Sequence, residues 1–132
     1  MRVFSGLLVA ILVSGLAACV EAPQSAGRAL FEKQCAVCHG AKGRGDGPYA
    51  GQLQFPPADL AVLAANNGGV FPAGDVMAKI YGYPGVSYNM PMPDFGPVLD
   101  GPKVMWVDPD GTRIATPKAL VDLADYVESL QT

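Results

Sequence analysis

Cys35, Cys38 and His39 form a Cys-x-x-Cys-His motif, and His39 is the only histidine of the 132-residue chain. Two cysteines three positions apart lie about one helical turn apart, on the same side of a helix. Both sulfurs can therefore form thioethers to the two vinyl groups of one porphyrin, and the histidine can give the iron its proximal nitrogen. This motif is the attachment signature of a c-type haem. It predicts one covalent haem c whose iron is bound by His39.

Two other uses of the cysteine pair compete with this interpretation. A bare Cys-x-x-Cys is also typical of thioredoxin-like redox pairs, but these occur near a βαβ pattern that the sequence does not show. A closed zinc site needs four ligands, whereas Cys35, Cys38 and His39 supply three. The third cysteine, Cys19, belongs to a different part of the chain. The residues therefore favour haem.

The sixth ligand of the iron is not a second histidine of this chain, because none exists. Met77 and Met105 fall in a predicted helix and a predicted strand, where packing is their expected role. Met90 and Met92 each precede a proline, which pushes them towards extended geometry. Side chains alternate along an extended chain, so both methionines point roughly the same way and geometry alone does not separate them. Either can ligate the iron, and the alternative is that both only pack.

The start of the chain has the pattern of an export signal. Arg2 is followed by an uncharged apolar stretch and by small residues that end at Cys19. Leu16-Ala17-Ala18-Cys19 resembles a bacterial lipoprotein signal, in which the cysteine is lipidated and becomes the first mature residue. An uncleaved apolar helix near the minimum length for spanning a bilayer is the alternative. Both interpretations place the haem domain outside the cytoplasm and near a membrane.

The resulting organisation is a signal peptide at 1–18, a lipidated cysteine with a short linker at 19–25, and a haem domain at 26–132. We expect a periplasmic protein tethered to the membrane through Cys19. The mature 114 residues suit one domain. Eight Lys and Arg then face twelve Asp and Glu, a net charge of −4. This acidity argues against a nucleic-acid partner and suits a positively charged docking patch on a protein partner.

Helical patterns occur at both ends of this domain. The first helix is predicted to begin near Ser25 and to run to the haem cysteines. The last helix is predicted with Thr116 as N-cap, Pro117 at the first helical position and 118–130 as its body. Its apolar residues fall at helical spacing on one face, at Leu120, Leu123, Ala124, Val127 and Leu130.

Between the terminal helices the pattern is shorter and richer in glycine and proline. One helix is predicted at 59–65 with Asp59 near its cap, and another at 74–81 with Gly82 at its end. Strands at 103–107 and 112–115 flank the residues of a tight turn and predict a small β-hairpin. The stretch 40–58 has no periodicity, which is unusual in a compact domain unless it serves a site. We expect it to wrap the cofactor.

Taken together, these features resemble a class I cytochrome c over about Gly27–Leu130. Gly27 and Phe31 resemble the glycine/aromatic pair of the first helix that crosses the last helix, and Tyr126 stands where the last helix supplies its aromatic residue. The resemblance implies a mainly α fold in which the N- and C-terminal helices cross over one covalently bound haem. The hairpin before the last helix is an addition to that minimal pattern.

The resemblance also bears on the ligands. Met92-Pro93-Asp94-Phe95-Gly96 is similar to a methionine–proline–any–aromatic–glycine pattern of bacterial relatives, which favours Met92 over Met90 as the iron ligand. In this family a proline carbonyl after the haem motif accepts the other ring N–H of the histidine and orients it. Gly47-Pro48 resembles that element, and Pro56 and Pro57 are weaker candidates.

The expected function is therefore one-electron transfer, with a thioether ligand that favours ferrous iron. A carrier needs a redox donor and a redox acceptor, and it binds no small substrate at an iron with both axial positions filled. It is not an enzyme by itself. One alternative is a haem subunit of a larger membrane-associated oxidoreductase complex. Another is an open-site haem sensor, against which the methionine segment argues.

Overall fold

The computed structural model describes residues 23–82 and 92–132, so Cys19 and Met90 lie outside the described residues. In these two ranges the chain is mainly helical, with one two-stranded sheet. The helices are α1 (Pro23–Gln34), α2 (Ala36–His39), α3 (Leu63–Asn66), α4 (Ala73–Tyr81), α5 (Gly96–Leu99) and α6 (Lys118–Ser129). Short 3₁₀ turns occupy Ala50–Gln52 and Leu60–Val62, and the strands are β1 (Lys103–Val107) and β2 (Arg113–Pro117).

The terminal helices α1 and α6 cross each other at the predicted residues. A Cβ atom on Gly27 would overlap the main-chain oxygen of Asp122, so the two backbones approach as closely as only glycine allows. One turn later, the fully buried ring of Phe31 lies 5.3 Å from the ring of Tyr126, at an interplanar angle of 56°. This tilted arrangement is a favourable one for two aromatic rings. The expected glycine/aromatic crossing of the two helices is confirmed.

The apolar face of α6 supplies much of the core. Leu120, Leu123, Ala124 and Val127 are at most 2% exposed, at the i, i+3, i+4, i+7 spacing of a helix that buries one stripe. They join a hydrophobic cluster with residues of the other elements, namely Phe31, Cys35, Phe71, Met77, Ile80 and Leu99. The buried carboxylate of Asp122 is paired with the ammonium of Lys118 at 2.5 Å, which offsets part of its desolvation cost.

The start of α6 differs from the prediction. The helix begins at Lys118, and Thr116 is not its N-cap but a residue of β2 paired with Val104. The Thr116 hydroxyl donates a hydrogen bond to the carbonyl of Ile114 rather than capping a helical amide. Because the sheet uses the Thr116 backbone, the chain passes from strand to helix through Pro117, whose backbone is extended (φ −53°, ψ 129°).

The shorter central helices agree with the prediction. The Asp59 carboxylate accepts a hydrogen bond from the Ala61 amide at 2.9 Å and so caps the 3₁₀ turn that continues into α3. Helix α4 ends at Gly82, whose φ of +76° is left-handed backbone that favours glycine. The short helix α5 was not predicted, because four residues are too few to show a period.

The predicted hairpin is present, with antiparallel strands in which Trp106 lies opposite Ile114. The Asp110 carboxylate accepts a hydrogen bond from the Thr112 amide at 2.8 Å and stabilises the turn. Met105 is 53% exposed, so its predicted packing role is wrong. Side chains alternate along a strand, and it is the neighbouring Trp106 that packs against the core. Within 23–82 and 92–132, none of the helices has the length and apolarity needed to cross a bilayer.

Candidate haem-binding site

Helix α1 leads directly into the cysteine motif. The Cys35 amide donates to the Phe31 carbonyl at 2.8 Å and the His39 amide donates to the Cys35 carbonyl at 2.9 Å, both with helical i→i−4 spacing. Cys35 and Cys38 are therefore about one turn apart, and His39 follows at the end of the same turn. Cys35 is 8% exposed, whereas Cys38 and His39 are half-buried. The two sulfurs and the imidazole are thus brought together at one edge of the core.

The loop that follows closes the C-terminal end of α2. The amides of Gly45, Gly47 and Tyr49 donate to the carbonyls of His39, Cys38 and Val37, at 2.8, 3.0 and 2.9 Å. These are carbonyls at a helix end, which otherwise lack a partner within the helix. A Cβ atom on Gly47 would lie 2.6 Å from the main-chain carbon of Cys38, so the close approach requires glycine there. The irregular stretch after the motif therefore supports the motif itself.

The imidazole of His39 is held by a main-chain carbonyl. Its Nδ1 lies 3.0 Å from the carbonyl oxygen of Ala58. A carbonyl only accepts, so this contact assigns the proton to Nδ1 and leaves the lone pair on Nε2 for a metal. The Leu60 amide donates to the Gly43 carbonyl at 2.6 Å. This bond holds the segment that contains Ala58 beside the loop that follows the cysteine motif.

The predicted role of Pro48 as the acceptor for His39 is wrong, and neither Pro56 nor Pro57 takes it. The acceptor is Ala58. Gly47 and Tyr49, which flank Pro48, are both bonded to carbonyls of α2, so this segment runs along the end of the helix. The carbonyl that faces the ring comes ten residues later. Sequence reasoning missed it because a main-chain carbonyl has no side-chain signal.

Burial raises the pKa of the Cys35 thiol to about 11, and the neighbouring Cys38 adds to the effect. Removal of water from around the sulfur disfavours the charged thiolate form. The catalytic cysteine of a thioredoxin-like pair is of the opposite kind, with a lowered pKa and a reactive thiolate. A thioether is neutral, so its formation leaves no charge in the hydrophobic cluster that contains Cys35. The raised pKa of Cys35 therefore suits covalent attachment better than disulfide exchange.

Met92 is half-buried and packs against the same hydrophobic cluster to which Cys35 belongs. The chain after it is fixed to the end of α4, because the Phe95 amide donates to the Ile80 carbonyl at 3.0 Å. Met77, by contrast, is 4% exposed in the core, and its predicted packing role is confirmed. Met90, the competing ligand, lies outside the described residues.

This donor set fits a c-type haem. Two sulfurs lie on one helical turn, the imidazole presents Nε2 while its Nδ1 is held, and a thioether packs against the same apolar cluster. An apolar surface of this kind suits a large flat cofactor. Among the residues described, no three His, Cys, Asp or Glu side chains are grouped so that they could hold a metal ion alone.

Comparison with known proteins gives one family and one solved structure. The family model described as Cytochrome c matches residues 24–131. A chain of the Kuenenia stuttgartiensis reducing HAO-like protein complex has a similar structure, with a TM-score of 0.58 and 25% sequence identity. The similarity covers 83% of this chain and 44% of that chain, so this chain spans less than half of the length of its structural neighbour. No curated protein matches.

Proposed function

We propose that this chain, which belongs to the cytochrome c family, carries single electrons through one covalently bound haem c. The observation that carries the proposal is the 3.0 Å contact between Nδ1 of His39 and the Ala58 carbonyl, next to two cysteines on one helical turn. When bound, haem supplies one-electron chemistry between Fe(III) and Fe(II). The chain's own residues attach it, ligate it and exclude water.

Each residue has a separate task in this proposal. Cys35 and Cys38 anchor the porphyrin, and His39 binds the iron through Nε2. The hydrogen bond to Ala58 keeps the ring in one orientation and increases the basicity of Nε2. Met92 is the proposed sixth ligand, a soft and neutral sulfur that favours the ferrous state.

An absorption spectrum tests the proposed function. The chain is expressed with its own N-terminal segment and with haem-attachment machinery, and spectra are recorded for the oxidised and reduced protein. We expect a c-type spectrum that survives denaturation and haem extraction, because the thioethers are covalent. The C35S/C38S double variant is the matched control, and it should lose its haem on extraction. A colourless exported protein in which both thiols react with an alkylating reagent would rule out the carrier function.

A second candidate is a haem subunit of a larger oxidoreductase complex. The observation in its favour is the structural neighbour, which is a chain of a protein complex and more than twice as long as the matched part. In this alternative the haem passes electrons to a fixed neighbouring subunit rather than to a diffusing partner. The residues of the haem site have the same tasks in both candidates.

The proposed location is the periplasmic face of a membrane. The N-terminal pattern that ends at Cys19 supports a lipid anchor followed by a short linker, with the haem domain starting near residue 26. Because α1 already begins at Pro23, the tether before it is about four residues long (19–22) and reaches roughly 14 Å when fully extended. The haem domain would therefore stay close to membrane-bound redox partners in both candidate functions.

A further inference from the structure

A groove with a volume of about 540 Å³ separates the N-terminal half of α4 from the β-hairpin. Its lining contains no residue of the haem motif and does not contain Met92. The buried side chains of Phe71 and Met77 belong to its lining and connect it to the core. One wall of the groove is formed by residues of the hairpin, namely Trp106, Asp108, Pro109, Ile114 and Thr116.

The indole of Trp106 lies in the wall that the hairpin contributes. This is the only tryptophan of the chain, and it is half-buried. A Cβ atom on Gly74 would lie 3.5 Å from Cη2 of the indole and 3.8 Å from a carboxylate oxygen of Asp108. The indole of Trp106 and the carboxylate of Asp108 therefore both lie next to Gly74 of α4, which has no side chain to fill the space between them.

Two carboxylates line the groove from opposite walls. Asp75 lies in the first turn of α4, and Asp108 lies where β1 enters the turn of the hairpin. Neither carboxylate forms a hydrogen bond or an ion pair with another residue of the described ranges. No lysine or arginine is among the residues that line the groove, all of which the structure describes. The groove therefore offers negative charge without an internal counter-ion.

Part of the rim of the groove is apolar. Val70 is 61% exposed and Ile114 is 38% exposed, and both line the groove. An aromatic face beside carboxylates attracts a cation, and exposed aliphatic side chains favour the apolar stem or neighbours of that cation. Arginine combines a planar cation that stacks on indole with donors that pair with carboxylates. The lining thus matches an arginine carried on an apolar segment.

We propose that this groove is a docking site for an arginine side chain of a partner protein, between Asp75 and Asp108 and against Trp106. Aromatic and arginine residues are enriched at protein interfaces, where a few such anchors carry most of the binding energy. None of the proposed haem ligands lines the groove, so an arginine side chain there does not compete with them for the iron. It would serve a diffusing partner and a fixed subunit equally.

The test uses the full haem-loaded protein, reduced and ¹⁵N-labelled, because its single tryptophan gives one indole N–H resonance. The probe is the capped peptide acetyl-Val-Arg-Val-amide, and the matched control replaces arginine by neutral citrulline. We expect the arginine peptide to shift the Trp106 resonance saturably, with weaker binding at higher ionic strength. The D75N and D108N variants should each bind about threefold more weakly. D100N, an exposed carboxylate outside the groove, should bind as the parent does.

Three results would overturn the proposal. Equal shifts with the citrulline and arginine peptides would show that charge is not recognised, and no shift with either would show that the groove binds neither. A Trp106 resonance that moves with protein concentration alone would make a second copy of this chain the occupant. The haem spectrum of each variant shows whether that variant has folded. The comparison of the arginine and citrulline peptides uses the parent protein alone, so it does not depend on the folding of any variant.

Discussion

His39 is positioned by the main-chain carbonyl of residue 58, so the side chain at that position is not what holds the imidazole. Any residue at position 58 can present that carbonyl, provided that the loop keeps its path. The path depends on Gly45 and Gly47, whose amides bond to the end of α2 and whose side-chain positions are closed by neighbouring backbone. The orientation of the imidazole thus depends on small residues that bond to the main chain of α2. A search for conserved polar partners of His39 would overlook them.

The axial methionine is the sharpest prediction at the level of single residues. M92A is expected to make the reduced protein bind carbon monoxide rapidly at neutral pH and to lower its reduction potential, because the soft sulfur ligand is lost. M90A is the matched control, two residues away in the same Met-Pro-Met-Pro segment, and should do neither. The measurements are stopped-flow mixing with carbon monoxide and a redox titration. The opposite result, with only M90A opening the iron, would transfer the ligand role to Met90.

The crossing of α1 and α6 is the principal contact between helices in the described fold. It joins the helix that leads into the haem motif to the helix that supplies much of the core. Gly27 permits the close approach, and the Phe31–Tyr126 ring pair fills the space one turn away. Because α1 continues into the motif, movement at the crossing would also move Cys35. Helix packing and haem attachment are therefore coupled.

The G27A variant tests the crossing. In an isolated helix, replacing glycine by alanine is stabilising by about 1 kcal/mol. Here the added methyl group would overlap the Asp122 backbone, and overpacking of this kind costs about 1–3 kcal/mol. We expect a lower free energy of unfolding for the haem-loaded protein in chemical denaturation. G51A is the control, since a Cβ atom there meets no other atom within 4 Å. Equal stability of the two variants would contradict the crossing.

At the scale of the whole molecule, an acidic and mainly helical domain carries a two-stranded hairpin between α5 and α6. The chain has a net charge of −3 before any processing. Its hairpin exposes several apolar side chains, including Met105 and Val107 at 53% and 55%. Exposed apolar patches that are rimmed by polar residues are typical of surfaces that contact other proteins. In our proposals, the haem site holds the cofactor and the hairpin contributes to the surface that a partner recognises.

The proposed lipid anchor is tested by C19S. Loss of the lipidated cysteine should move the protein from the membrane fraction to the soluble fraction, measured by fractionation and by the mass of the mature N-terminus. Tight membrane association of C19S would indicate an uncleaved apolar helix. The parent protein in mild detergent is the control and also separates the two candidate functions. A carrier elutes as one chain, whereas a subunit elutes with other subunits.

Much of this protein can be worked out from short stretches of its sequence. The haem motif, the capped turn at Asp59, the left-handed end at Gly82 and the hairpin turn all depend on residue types a few positions apart. Such signals are local, because capping, turn geometry and thioether spacing are properties of the nearby backbone. The crossing of α1 with α6 is also predicted from the sequence, but from the resemblance to cytochromes c rather than from hydrophobic periodicity.

Contacts between distant segments came only from the folded chain. The carbonyl that accepts the hydrogen bond of His39 is nineteen residues away from it in the chain. Thr116 lies in a strand rather than at a helix cap because it pairs with Val104 of the other strand. The groove between α4 and the hairpin combines Asp75 with Asp108. Main-chain acceptors and shared cavities leave no pattern in the order of residues, because they arise from the path of the backbone through space. The sequence alone identifies the residues that could bind haem, and only the tertiary structure shows which backbone groups position them.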